Sequence, residues 1–198
     1  MNAETDSQCP PKPTALAHRL VEGLLDDGAL AIDATAGNGH DTLFLAERVG
    51  ESGRVLAFDV QAAAIEAARA RVSAAGWAER VGFLTVSHAQ MADHAAAGSV
   101  AVVMFNLGYL PGENHDLTTC AESTLLALDA AARVLRPGGG LSVVSYPGHP
   151  AGAAEAEAVA EWFCRLAESG WRVARYGAVG TRRPAPFLLF AVAPGGQR

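Results

Sequence analysis

Five short runs of continuous apolar residues, separated by segments with helical spacing, constrain the fold of this chain more than any other feature. A strand with one solvated face alternates apolar and polar residues, whereas a strand buried on both faces is apolar throughout. Helical segments between such strands imply parallel, right-handed crossovers. The pattern therefore predicts a parallel sheet that is covered by helices on both faces. The five runs are ALAID, RVLAFD, VGFLTV, SVAVVMF and GLSVVSY.

The two ends of the chain depart from this alternation. A Pro-rich segment over residues 1–13 predicts a flexible tail, and TALAHRLVEGLLDDG after it predicts a helix that Gly28 should end. After a helix through EAEAVAEWFCRLAESG, the runs WRVARYGAVG and PFLLFAVAP follow with no helix between them, which predicts a hairpin. At 198 residues, 50% of them hydrophobic, the chain fits a single α/β domain over residues 14–198.

Composition excludes several classes of protein. No apolar run approaches the roughly 20 residues of a membrane span, and the N-terminus lacks signal-peptide character, so we expect a soluble cytoplasmic protein. Three separated cysteines fit neither a disulfide framework nor a zinc site, and Cys164 is expected to be a buried thiol. The histidines lack metal-ligand spacing, so no metal is predicted, and His18, His94 and His115 are interpreted as surface or helix residues.

The loop DATAGNGHDT lies between the first predicted strand and the helix that follows it. Open sheets bind ligands beyond the carboxyl ends of their strands, where the strand order reverses, and Asp33 is the first such end. Gly37 and Gly39 would let the backbone approach a ligand, and Asn38 tolerates left-handed torsion angles. A dinucleotide fingerprint requires a third glycine three residues after Gly39, where this chain has Thr42.

Acidic residues around the loop distinguish between two nucleotide cofactors. Asp59 ends the next strand, in the position from which a carboxylate accepts the ribose hydroxyls of NAD or of S-adenosylmethionine. Asp33 favours S-adenosylmethionine, which carries an ammonium and a sulfonium, because a pyrophosphate would be repelled. His88, after the third strand, lies where methyltransferases contact the adenine. The candidate cofactor-binding residues are Asp33, Gly37, Asn38, Gly39, Asp41, Thr42, Asp59, Gln61, His88 and Asn106.

Two further strand ends carry polar residues that could hold a substrate. In FNLGYLPG, Asn106 and the carbonyl of Leu107 could orient an amine towards a methyl donor, as at this strand end in amino-group methyltransferases. Tyr109 could form one wall of the substrate site. In SYPGHPAG, past the fifth strand, Tyr146 and His149 could relay a proton or stack on a base. The candidate catalytic residues are Asn106, Tyr109, Tyr146 and His149.

Three motifs together resemble the MnmM (YtqB-type) family: DATAGNGHDT, FNLGYLPG with the following LTT, and YPGHPAG followed by EAEAV and FCRL. The resemblance runs from about Leu30 to the final strand. It implies the class I methyltransferase fold, a Rossmann-like, doubly wound, mostly parallel seven-stranded sheet whose last strand inserts antiparallel. It also implies S-adenosylmethionine-dependent methylation of the aminomethyl group of 5-aminomethyl-2-thiouridine at the tRNA wobble position. The tRNA anticodon region would be the partner, and a homodimer is permitted.

The sequence departs from the family pattern after LGYLPG, where a glycine and a lysine are usual and this chain has ENHD over residues 113–116. That change affects how anticodon phosphates are held, and Arg182 and Arg183 are the candidates to replace the lost charge. Three alternatives remain open, because sheet topology does not fix function. They are a class I methyltransferase acting on rRNA or another amine, a nicotinamide-dependent oxidoreductase, and a non-catalytic S-adenosylmethionine-binding protein.

Overall fold

The computed structural model describes residues 10–108, 121–148 and 150–195. Its strands are β1 (Leu30–Asp33), β2 (Arg54–Phe58), β3 (Val81–Leu84), β4 (Val100–Leu107), β5 (Leu135–Ser145), β6 (Arg172–Gly177) and β7 (Phe187–Val192). They form one sheet with the order β3-β2-β1-β4-β5-β7-β6. β7 runs antiparallel to both of its neighbours, and every other adjacent pair is parallel. The predicted doubly wound sheet and its antiparallel insertion are confirmed.

Helices cover both faces of this sheet. They are α1 (Pro13–Glu22), α2 (His40–Arg48), α3 (Ala62–Ala74), α4 (Ala121–Val134) and α5 (Pro150–Glu168). Successive residues of β4 point to opposite faces: Val103 packs with α4 and α5, whereas Val102 packs with α1 and α2. Both are fully buried, which is why the strand reads as a continuous apolar run. Within the described residues no helix is long and apolar enough to cross a membrane.

Two element boundaries differ from the sequence prediction. α1 ends at Glu22 rather than near Gly28, because the chain turns there and Leu24 and Leu25 pack into the core. Gly28 instead forms a separate turn with a φ of 86°, and its N–H bonds to the carbonyl of Val49. β4 extends two residues further than the apolar run, so that Asn106 is the penultimate residue of a strand and is held by the sheet.

Two interpretations of single residues also change. Cys164 is exposed on α5 rather than buried, because Trp162 and Phe163 form the face of this helix that packs into the core. The end of the predicted tail is held in place: the hydroxyl of Tyr176 in β6 donates to the carbonyl of Pro11 at 2.7 Å. Residues 1–9 lie outside the described residues.

The ends of the strands place several loops at one edge of the sheet, here called the carboxyl edge. In the strand register Leu107 pairs with Ser145, and Ser145 pairs with Phe187 at the start of β7. Because β7 is antiparallel, the segment that leads into it, residues 178–186, reaches the same edge at which β1, β4 and β5 end. The loop after β1 and this later segment therefore flank the same strand ends.

Candidate functional site

Asp33 anchors the loop after β1 from beneath. Its carboxylate is fully buried and accepts hydrogen bonds from the backbone N–H of Thr35, at 3.1 Å, and from the hydroxyl of Thr42. Burial, followed by the nearby charge of Asp41, raises the pKa of Asp33 to about 7. The two ends of the loop are thus tied to one side chain, which is close to its midpoint of ionisation at neutral pH.

The two glycines of the loop have different surroundings. A Cβ on Gly37 would meet only the carbonyl of Thr35, at 3.8 Å, so this glycine leaves space open above the loop. A Cβ on Gly39 would lie 2.6 Å from the Cα of Ala68, so Gly39 allows α3 to pack against the loop. Both glycines have positive φ, at 48° and 76°. No described non-glycine residue does, so Asn38 does not use the left-handed torsion angles that an asparagine tolerates.

Asp59 joins this loop to the start of α3. One carboxylate oxygen accepts from the N–H of Gly37 and the other from the N–H of Gln61, both at 3.0 Å. The side-chain oxygen of Gln61 is buried and has no hydrogen-bond partner among the described residues. A buried acceptor without a donor costs free energy unless a ligand supplies one. Asp59 and Gln61 thus lie beside the open space above Gly37, here called the polar recess.

His88 lies near Asp59, on a short 3₁₀ helix over His88–Asp93. Its Nδ1 is 3.1 Å from the carbonyl of Ala34, and its ring meets Phe105 edge-on at 5.6 Å. Burial lowers the pKa of His88, so the imidazole is neutral at neutral pH, with Nδ1 donating to the carbonyl. His88 can therefore offer Nε2 as an acceptor but carries no charge. Its contact with an adenine stays a prediction.

Asn106 is fixed at the end of β4 by both its backbone and its side chain. Its N–H donates to the hydroxyl of Thr35 at 2.7 Å. Its side-chain nitrogen lies 3.5 Å from Asp41, and its side chain also interacts with the hydroxyl of Tyr146, whose ring covers Gly108. Burial and the charge of Asp41 raise the pKa of Tyr146, so its hydroxyl stays protonated at neutral pH.

Sequence reasoning missed two residues of this site. His18 lies on α1, as expected, but its Nε2 is 2.6 Å from a carboxylate oxygen of Asp41, and its ring stacks on Phe44 at 3.9 Å. Nothing in the sequence connects α1 to a loop that follows it by some twenty residues. Thr35 was overlooked although it lies in the loop after β1. A hydroxyl between two alanines could have indicated a hydrogen-bonding role.

Three carboxylates converge on this end of the sheet. Asp41 and Asp59 both act electrostatically on Asp33 and favour its protonated form. Among the described residues no arginine or lysine pairs with any of the three, and His18 is the one basic side chain in contact with them. Such a site attracts a cationic ligand and repels a pyrophosphate. No cluster of the described residues has a metal-ligand arrangement.

The remaining predicted residues lie on the other side of β4 or outside the described chain. Arg182 and Arg183 are exposed in the segment over residues 178–186, and no described carboxylate pairs with them. A Cβ on Gly148 would lie 3.6 Å from the carbonyl of Pro184, so this segment approaches the chain just after Tyr146. Tyr109, His149 and residues 113–116 fall outside the described residues.

Comparison with known proteins identifies the family. The family model described as "Putative rRNA methylase" matches residues 55–192, more than half of the chain. The chain belongs to this family. A chloroplastic tRNA (mnm(5)s(2)U34)-methyltransferase of Arabidopsis thaliana is 39% identical to the chain over 188 residues, which cover 90% of this chain and 68% of that relative.

Solved structures agree with membership in the rRNA methylase family. A Clostridium thermocellum protein of the same description is 33% identical, with a TM-score of 0.89 over 93% of this chain and 98% of its own. A Streptococcus mutans protein, described as a "putative methyltransferase" and crystallised with SAH, is 29% identical, with a TM-score of 0.83 over 93% and 99% of the two chains. This chain is a class I methyltransferase with S-adenosylmethionine as its cofactor.

The described residues fit that cofactor. The open space at Gly37 and the unpartnered oxygen of Gln61 offer room and an acceptor beside Asp59. The three carboxylates supply the negative charge that an ammonium and a sulfonium require, whereas a nicotinamide dinucleotide would bring a repelled pyrophosphate to the same loop. The oxidoreductase alternative therefore loses its support.

Proposed function

We propose that this rRNA methylase family member transfers the methyl group of S-adenosylmethionine to the aminomethyl group of 5-aminomethyl-2-thiouridine at the wobble position of tRNA. The observation that carries the proposal is Asn106, a neutral side chain fixed at the end of β4 beside Asp41. The 39% identity to the Arabidopsis enzyme, whose name specifies tRNA and position U34, supports the choice of substrate.

The neighbours of Asn106 determine which of its side-chain atoms faces the substrate. An ionised carboxylate only accepts hydrogen bonds, so the contact with Asp41 requires the amide nitrogen of Asn106. Although burial raises the pKa of the Tyr146 hydroxyl, the interaction with Asn106 lowers it, which is the effect of an amide that donates to it. The amide oxygen is left to accept a hydrogen bond from an amine. An acceptor at this place holds the amine's N–H and directs its lone pair towards the methyl donor, which favours reaction by positioning.

Tyr146 acts in this scheme as a neutral orienting group. Its raised pKa excludes a tyrosinate base at neutral pH, but the protonated ring could stack on the uridine or hydrogen-bond the substrate. Tyr109 and His149 would complete the substrate side, with Tyr109 as a wall and His149 as a proton relay or stacking group. The carbonyl of Leu107, at the end of β4, offers a second acceptor for the amine.

For the cofactor, we propose that Asp59 accepts the ribose hydroxyls and that Gln61 and His88 lie along the adenosine. When bound, the cofactor supplies an electrophilic methyl group on its sulfonium. Asp33 and Asp41 would provide the countercharge for its cationic portion, and Thr42 would hold Asp33 in place. The loop residues Gly37, Asn38 and Gly39 would pass beneath it, with Gly37 making the nearest backbone approach.

The tRNA anticodon region would approach along the segment that bears Arg182 and Arg183. Neither arginine has a carboxylate partner among the described residues, so both are available to phosphates. Their segment lies close to Gly148, on the substrate side of β5.

The family resemblance also permits a homodimer, which sedimentation velocity would test.

The decisive experiment is a methylation assay on tRNA from a strain that lacks this modification, read by nucleoside mass spectrometry. We expect conversion of 5-aminomethyl-2-thiouridine to its methylaminomethyl form, dependent on S-adenosylmethionine. Matched substrates are the same tRNA without the aminomethyl group and rRNA from the same strain. Methylation of rRNA with no change in tRNA would reject the substrate assignment. Cofactor binding with no transfer to either RNA would favour the non-catalytic alternative.

A further inference from the structure

We propose that His18 of α1 is a positioning residue for methyl transfer: it holds the carboxylate of Asp41, which in turn holds the amide of Asn106. The inference rests on the proposed role of Asn106 and extends it to a helix that precedes the sheet. It starts from a continuous set of side-chain contacts from His18 through Asp41 and Asn106 to Tyr146.

The distances in this set show which contact orients Asp41. The bond from His18 is short, at 2.6 Å, whereas the contact from Asn106 is long, at 3.5 Å. A hydrogen bond of the first length is strong, and one of the second is at the limit of an interaction. The carboxylate of Asp41 is therefore held from the α1 side, and Asn106 adjusts to it.

Asp41 needs such a partner because it lies beside another acidic group. The charges of Asp41 and Asp33 repel each other across the loop. Its side chain is only 11% exposed, so water gives little compensation. Among the described residues, the hydrogen-bond partners of its carboxylate are His18 and Asn106. Without the donor of His18, the carboxylate is expected to turn away from Asp33 and to release Asn106.

α1 is held firmly enough to serve this role. Ala17 and Val21, on either side of His18 in the sequence, are fully buried against the sheet. The carbonyl of Pro11 before the helix accepts from Tyr176, and beyond its end Arg136 bonds the carbonyl of Leu24 at 3.1 Å. The ring of His18 is further fixed by nearly parallel stacking on Phe44, with 8° between the planes.

Two substitutions separate the hydrogen bond from the packing. His18→Phe keeps an aromatic ring on Phe44 but has no donor, whereas His18→Gln loses the ring but can place an amide N–H near the position of Nε2. We expect His18→Phe to lower kcat about tenfold with a much smaller change in the Kd for S-adenosylmethionine, since Asp41 keeps its charge, and His18→Gln to restore most of the loss. Adding His18→Phe to Asp41→Ala should lower kcat no further, because Asp41→Ala already removes the carboxylate that His18 holds.

The activity of the variants decides the inference. If His18→Phe is as fast as the wild type, or if both variants are equally slow, the hydrogen bond is not what matters and the inference is wrong. A loss of cofactor affinity as large as the loss of kcat would also reject it, since His18 would then act mainly on the cofactor. Equal melting temperatures of the variants would show that α1 still packs.

A second measurement tests the coupling without any substrate. The side-chain amide resonances of Asn106, assigned by their loss in Asn106→Ala, should shift in His18→Phe and stay near the wild-type position in His18→Gln. Unchanged resonances in both would overturn the inference. If the resonances shift as expected but the wild type fails to methylate aminomethyl tRNA, the proposed function is wrong while the contact from His18 to Asn106 stands.

Discussion

The two sides of the carboxyl edge have opposite charge. Around the loop after β1, Asp33, Asp41 and Asp59 converge without an arginine or lysine partner among the described residues, whereas the segment before β7 presents Arg182 and Arg183 without a carboxylate partner. Three arginines elsewhere on the surface are paired with carboxylates: Arg48 with Glu22, Arg69 with Glu66 and Arg136 with Asp26.

The formal charge of −6 does not reveal that acidic and basic side chains are separated along this edge. A cationic cofactor and an anionic RNA require opposite fields within one site, and the fold separates them by placing β4 and β5 between the two. Asn106, which is uncharged, lies on β4 at the boundary between the acidic and basic sides. Substitutions of the acidic side, of the basic side and of Asn106 should therefore have different effects.

The largest effect on activity is expected from substitution of Asn106, between the two sides. Asn106→Ala removes the acceptor proposed for the amine and should lower kcat about 100-fold, because a misplaced nucleophile forfeits most of the benefit of positioning. The acidic side remains intact, so the Kd for S-adenosylmethionine from calorimetry should change little. Lost cofactor binding together with normal kcat at saturation would place Asn106 on the cofactor side instead.

On the acidic side, Asp59→Ala should weaken S-adenosylmethionine about 10-fold to 100-fold, since hydrogen bonds to a charged group contribute about 1.5–3 kcal/mol. Its bonds to Gly37 and Gln61 would also be lost, which loosens the recess. Asp59→Asn is the matched control, because it keeps one acceptor oxygen without the charge and should be intermediate. Unchanged affinity in both variants would remove Asp59 from the cofactor site.

On the basic side, Arg182→Ala with Arg183→Ala should reduce the slope of log K for tRNA against log salt by about 1 for each arginine that contacts a phosphate. Cofactor affinity should not change. Arg54→Ala with Arg133→Ala is the matched control, because it removes the same charge from the opposite edge, where β2 begins and α4 ends. Equal slopes for the two double variants would reject the basic segment as the RNA contact.

The fold could be predicted largely from the sequence because its strands are buried on both faces. Continuous apolar runs such as the one in β4 have no alternative placement, and helices between them fix parallel crossovers. The antiparallel insertion of β7 came only from the family resemblance. The end of α1 was predicted too late, because a glycine such as Gly28 commonly ends a helix. The helix ends earlier, at Glu22, and Leu24 packs against the sheet.

The site was predictable where residues are close in the sequence and less so where they meet through the fold. Asp33 and Thr42 occupy one loop, and Asp59 follows a strand end, so both signals were readable. His18 reaches Asp41 only because α1 packs across the sheet, a contact that no local pattern encodes. The contact of Gly39 with the cofactor stays a prediction, whereas its close approach to Ala68 could not be predicted, since a glycine in a sequence does not reveal what lies near it.

The smallest effect, and the finest test of the acidic side, is the dependence of cofactor binding on pH. The pKa of Asp33 is about 7 in the folded chain against an ordinary value of 3.8. Between these values the folded state keeps a proton that the unfolded chain has lost, so the ligand-free protein should lose stability as pH rises from about 4 to about 7. A cation beside Asp33 favours the ionised form, so cofactor binding should release a proton in this range.

The affinity for S-adenosylmethionine should therefore increase about threefold between about pH 6 and about pH 7 and level off above, because one linked proton limits the change to about tenfold per pH unit. Calorimetry in buffers with different ionisation enthalpies measures the proton directly. Asp33→Asn should bind more weakly and without this dependence, whereas Asp41→Asn should keep the dependence but shift it to lower pH, since the charge of Asp41 contributes to the raised pKa. A wild-type affinity that is constant across the range would mean that Asp33 stays in one protonation state and that the cofactor's positive charge is balanced elsewhere.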